Sequence, residues 1–211
     1  MAHSSDPRLL ALHALKLKGF ADAVTLSASS GQDVSQLEHI LGDLASEGLV
    51  SRREGRVSGW TLTPEGRVEH ERLVLSDVDD SNRRSNVDDA YRRFMAINAD
   101  LLDTCTAWQL KSAGDLRIIN DHSDADYDHE VRSRLAAIHE TARPICADLA
   151  EAMHRYATYG PRLQLALDRV MSGKGDWFTR PVIDSYHTVW FELHEDLLSS
   201  LGIERSKEAA R

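Results

Sequence analysis

Two cysteines in 211 residues leave little room for a disulfide framework. Cys105 and Cys146 stand far apart, with no metal-like spacing around either, so a reducing, cytoplasmic setting is expected. A sensor thiol needs a lowered pKa and solvent access. Cys105 falls on the apolar side of a helical pattern and Cys146 follows Pro144 and Ile145, so both read as buried structural residues. No run of about 18 apolar residues exists, and nothing is expected to span a membrane. The opening MAHSSDPRLL lacks the basic-then-apolar order of a secretory signal. Nucleophile elbows, HExxH and paired-Cys motifs are missing, and Gly173-Lys174-Gly175 lacks the spacing of a phosphate-binding loop. The expectation is therefore no enzyme, no catalytic residues, no cofactor and no metal. Positive charge is also scarce, with 25 Lys and Arg against 34 Asp and Glu, a net −9.

What is present is concentrated in the first third. Asp33 is placed to cap a helix, with Gln36 three residues on as in a capping box. Leu37, Leu41, Leu44 and Ala45 recur at helical spacing, and Gly48 follows the last turn. Leu49 and Val50 begin a strand, and Glu54-Gly55 marks a tight turn between Ser51–Arg53 and Arg56–Trp60. Thr63 and Pro64 then restart a helix as cap and first helical residue. Upstream, Asp6-Pro7 begins a leucine-rich helix that stops at Gly19, and Phe20 to Ser29 makes a second.

The order is helix, helix, turn, helix, hairpin, helix. It resembles the winged helix-turn-helix regulators of the MarR type, with PadR-like proteins as cousins. The residues that carry the resemblance are Leu37, Ile40, Leu41, Leu44, Gly48, Leu49, Val50 and Arg52, then Leu62 to Arg67. It covers roughly the first third of the chain. The resemblance implies a DNA-binding transcriptional regulator that pairs as a homodimer to read two half-sites of double-stranded DNA. Ser35, Gln36 and His39 would face the major groove, and Arg52, Arg53 and Arg56 would touch phosphates or the minor groove. Charge argues the other way: residues 1–78 hold 8 Lys and Arg against 11 Asp and Glu, and the helix from Asp33 carries Glu38, Asp43 and Glu47 with no Lys or Arg. The three wing arginines, with Lys16 and Lys18 at the end of the first helix, are the cations available for phosphate. A winged-helix module that binds a protein partner and no DNA is the alternative.

The expected fold is mainly α: a winged helix-turn-helix with a small β-hairpin wing over 1–78, a polar linker over 79–86, and an all-α dimerisation and effector domain over 87–211. Helical patterns run from Val87 to about Gln109, with its apolar face a candidate for the dimer interface. Others run from Asp126 to Tyr156 with a break or kink near Pro144, from Gly160 to about Ser172, and from Pro181 to about Leu201. Asn120 to His129 packs four Asp and two His into ten positions, which reads either as a metal site or as a solvated, helix-capping loop. On the last helix Asp184, His187, Phe191 and His194 are spaced by three and four along one stripe, with Trp190 beside them. A stripe that mixes polar and aromatic groups suits a pocket for a small-molecule effector, and the plainer alternative is a core helix with hydrogen-bonded histidines. The two-part order also resembles the metal-binding GntR-like regulators. His139, His187 and His194 do not match that group's spacing, so no ligand is carried over.

Overall fold

The computed structural model describes residues 1–113 and 116–206. By packing, the described chain divides into two compact units. Unit 1 comprises 1–88, 149–158 and the chain from 192; unit 2 comprises 89–148 and 159–191. The boundaries read from the sequence, at 78 and 87, run differently, because segments from late in the chain belong to unit 1.

Unit 1 opens with α1 (Pro7–Lys18), α2 (Ala23–Ser30) and α3 (Val34–Ser46). Each starts on an aspartate whose carboxylate accepts free backbone N–H groups: Asp6 from Arg8, Asp22 from Thr25, and Asp33 from Ser35 and Gln36. Left-handed glycines follow all three, at Gly19, Gly31 and Gly48. Strands β1 (Val50–Arg53) and β2 (Gly59–Leu62) pair antiparallel, Val50 opposite Leu62 and Arg53 opposite Gly59. The connection is thus a five-residue loop, Glu54–Ser58, and not the two-residue turn read from Glu54-Gly55. Arg56 accordingly lies at the loop tip. Ala21 adds a bridge to β2 through two backbone bonds with Trp60, of 3.2 and 2.8 Å.

Helix α4 (Pro64–Asp80) follows, with Thr63 Oγ1 accepting the Gly66 N–H and donating to the Gly48 carbonyl. Leu12, Leu15, Leu26, Leu37, Leu41, Leu44, Val50 and Leu62 form the core, with Leu49 and Trp60 half-buried against it. Gly66 is required by a close approach: a Cβ there would stand 1.9 Å from the Leu49 carbonyl oxygen. Polar groups are buried as well. Arg155 reaches Asp77 at 2.6 Å, and His3 and Ser5 bond the same carboxylate. The Asp196 carboxylate lies 3.5 Å from Arg155 and 3.0 Å from His13.

The expected linker over 79–86 is absent as an extended segment. Helix α4 runs through Asp80, Ser81 Oγ bonds the Val78 carbonyl, and α5 (Arg84–Gln109) begins after a turn. Short polar side chains here cap helices and do not space domains. Helix α6 (Ala125–Ala152) is continuous through Pro144, so that proline does not interrupt it. A 3-10 turn (His154–Thr158) and α7 (Tyr159–Met171) follow, then the short α8 (Asp176–Thr179) and α9 (Tyr186–Leu201).

Unit 2 is not all-α. Strands β3 (Leu110–Ala113) and β4 (Leu116–Ile119) pair antiparallel, Leu110 opposite Ile119. Every residue of β4 is exposed, so neither face is buried, and a four-residue strand with three apolar residues is too short to show a period of two. The described chain is mainly helical with two small antiparallel hairpins. No helix among the described residues is long and apolar enough to cross a membrane.

Candidate functional site

Helix α3 presents two faces. Leu37, Leu41 and Leu44 point into the core, while Ser35, Gln36 and His39 are exposed. The 3.6-residue period produces this split: apolar residues three and four apart share the buried side. Glu38, Gly42 and Asp43 share the open face with the three polar residues. Glu47, at the helix end, is held by Arg8 through two charge-assisted bonds of 2.8 and 2.5 Å. That bond pair lowers the Glu47 pKa and raises that of Arg8.

The hairpin stands beside α3. A groove of about 350 Å³ lies between them, lined by Asp22, Glu38, Gly42, Arg52, Ser58 and Trp60. Arg52, Arg53 and Arg56 are all exposed. Arg52 lies 3.4 Å from Glu54 and rests over the Trp60 ring at 5.6 Å, which steers its guanidinium along the strand. The three arginines and the three polar residues of α3 thus belong to neighbouring, solvent-facing elements of unit 1.

Lys18 does not join them. Its ammonium meets Glu192 at 2.5 Å in a largely buried pair. A buried carboxylate needs a cation more than a surface lysine needs water, so the chain uses Lys18 internally.

The stripe read on the last helix is not assembled as one site. Helix α9 starts at Tyr186, where Ser185 Oγ accepts the Thr188 N–H, so Asp184 precedes the helix and pairs with Arg162 at 2.9 Å. Ser185 after Pro181 is the cap that periodicity alone passed over. Trp190 is sealed in unit 2, stacked on Phe94 at 4.4 Å and donating to Asn98 at 2.9 Å. His187 is half-buried, with its pKa lowered by burial. Phe191 is exposed, and buried His194 belongs to unit 1. The apolar face of α5 is likewise already covered: Val87, Ala90, Tyr91, Phe94, Leu101 and Cys105 are buried, and Leu102 is exposed. Periodicity identifies an apolar face without saying what covers it.

The Asp- and His-rich stretch is a structured loop. Asn120 and Asp128 are buried, and Asn120 Nδ2 donates to Asp128 Oδ1 at 2.8 Å and to the Trp108 carbonyl at 3.1 Å. His122 Nδ1 donates to Asp128 Oδ2 at 3.0 Å. Asp124 caps α6 through the Tyr127 N–H, and Lys111 and Ser123 hold Asp121. Among the described residues no group of three His, Cys, Asp or Glu is placed to hold a metal ion. This loop forms one wall of a cleft of about 710 Å³ in unit 2. The other walls are Trp108, Ile119, Lys174, Trp177 and Arg180. Sequence reasoning marked the loop and dismissed the Gly173-Lys174-Gly175 segment. Nothing in the spacing of either segment announces that they meet.

No protein-family model matches the chain, and neither a curated protein nor a solved structure matches it.

Proposed function

We propose that residues 1–78 are a winged helix-turn-helix and that the protein is a cytoplasmic DNA-binding transcriptional regulator of the MarR-like type. In this reading α3 is the recognition helix and the β1–β2 hairpin is the wing. One observation carries it: the open face of α3 presents Ser35, Gln36 and His39 beside a hairpin that presents Arg52, Arg53 and Arg56. Serine and glutamine hydrogen-bond base edges, and exposed arginines neutralise phosphates. One recognition helix contacts few base pairs, so the regulator acts as a homodimer on half-sites about 34 Å apart. The second half carries the response to a small-molecule effector.

A second reading is favoured by the carboxylates of the same face. Glu38 and Asp43 stand exposed among the polar residues of α3, and anions there repel a phosphate backbone. A winged-helix module that docks a basic protein segment, without DNA, fits that charge.

Gel retardation of the DNA upstream of the protein's own gene, at two salt concentrations, separates the readings. The regulator retards the fragment at nanomolar to micromolar protein and loses affinity steeply with salt. No retardation at low salt by folded, dimeric protein sinks the DNA reading. Light scattering that finds only monomer, with and without DNA, sinks the dimer.

A further inference from the structure

We propose that the cleft of unit 2 binds a small organic carboxylate with a flat apolar body, held between Trp177 and His122 and neutralised by Lys174 and Arg180. Read as an effector site, it rests on the regulator reading above; as a binding site, it stands on the cleft alone.

The volume of about 710 Å³ falls within the usual range for small-molecule sites. Its walls combine a few polar groups with aromatic surface, the composition that orients a ligand while desolvating it. Trp108 forms the floor, buried between Phe178 at 4.7 Å and His122 at 4.4 Å. Trp177 is half-buried, and Ile119 on β4 is 79% exposed. That apolar lip is wetted in the open cleft, and a ligand's apolar body covers it at a gain of roughly 25 cal/mol per Å².

The charge selects an anion. The chain as a whole is −9, yet the mouth of this cleft carries Lys174 and Arg180 against Asp176. Lys174 has no carboxylate partner among the described residues, while Asp176 is already paired with Arg180 at 2.6 Å. The backbone on either side of Lys174 is fixed, while its side chain is exposed. A Cβ on Gly175 would meet the Trp108 ring at 3.0 Å, so the backbone packs directly on the indole, and Gly173 takes a left-handed conformation with φ 86°. On the opposite wall Asp128 engages Nδ1 of His122, which fixes the ring and leaves Nε2 as its second polar atom. A carboxylate therefore finds an unpaired ammonium and a guanidinium shared with Asp176 around one opening, and the fixed His122 ring offers its face to the ligand's flat body.

The test uses the full chain and no DNA, so its failure is distinct from failure of the regulator reading. Phenylacetate, phenylacetamide and acetate are titrated while amide and indole N–H resonances are followed. Trp60 and Trp190 lie outside the cleft and serve as internal references. Phenylacetate is expected to move the Trp177 and Trp108 indole signals and leave the other two in place. Phenylacetamide, without the charge, and acetate, without the body, are each expected to bind at least about ten-fold more weakly, the loss of one charge-assisted or apolar contact. Lys174→Ala and Arg180→Ala change exposed residues, and the dispersion of the same spectra reports that they are folded. Each is expected to weaken phenylacetate about ten-fold. The proposal is overturned if millimolar phenylacetate leaves Trp177 unmoved, if the amide binds equally well, or if both variants bind like the parent.

Discussion

His13 Nδ1 and His70 Nε2 lie 2.9 Å apart, their rings stacked, inside the core of unit 1. One nitrogen of the pair must donate and the other accept, so the arrangement requires at least one neutral imidazole. Burial pushes the His70 pKa down from 6.5 to about 3, with His13, Lys16 and Arg155 opposing its charge and Asp196 favouring it. His70 is neutral when folded, whereas the unfolded chain protonates it below pH 6.5. Its contribution is thus fully present above pH 6.5 and lost as pH falls toward 3, at up to about 1.4 kcal/mol per pH unit. Urea denaturation of the parent and of His70→Gln at a series of pH values checks this. The variant is expected to be less stable at neutral pH and to show a shallower decline in acid. Parallel pH curves would rule out His70 as the titrating group.

Gly66→Ala and Gly42→Ala are expected to have opposite signs. The new methyl at 66 collides with the Leu49 carbonyl, backbone that cannot step aside without opening the junction of β1 and α4. The cost is about 3 kcal/mol or more. Gly42 lies within α3 with nothing near its Cβ position, so alanine there stabilises by about 0.5–1 kcal/mol. Thermal melts of both variants check the pair.

Cys105 and Cys146 are both buried, and burial raises each thiol to about 12. Neither supplies thiolate near neutral pH. A thiol reagent is expected to label both only on the timescale of unfolding, with full reaction in denaturant. Rapid labelling of the folded protein would show that one of them is open to solvent.

If the hairpin is a wing, Arg53→Ala and Arg56→Ala each weaken binding to specific and unrelated DNA alike. Each reduces the salt slope by about one phosphate contact. Gln36→Ala instead changes the preferred sequence. Competition binding at several salt concentrations separates the two behaviours, and an unchanged slope in the double arginine variant would remove the wing from the interface.

The helices of the first third were legible because their signals are local. Asp6 and Asp33 each sit one residue before a helix and bond its free N–H groups, and Gly19 and Gly48 follow the same helices, whereas α2 starts on its Asp22 cap at Ala23, three residues after the start read at Phe20. Caps act over one turn, so the neighbouring residues contain the whole cause. The loop at 54–58 was misjudged by a few residues because the closing pair, Arg53 with Gly59, is selected by register along the hairpin and not by Glu54-Gly55 alone. Hairpin β3–β4 was missed because strands of four residues are too short for a period of two to stand out.

What the sequence alone determined is this local grammar: where helices start, which face of each is apolar, and where the first hairpin falls. What only the tertiary structure decided is which partners those faces and charges meet. Lys18 is a surface cation by composition and the partner of Glu192, 174 positions away, in the fold. The Gly173-Lys174-Gly175 loop and the loop at Asn120 to His129 are unrelated in sequence and face each other across one cleft. The physical reason is range. Hydrogen bonds at helix ends and the 3.6-residue period act between near neighbours, whereas burial and ion pairing act between whatever the folded chain brings within a few ångströms.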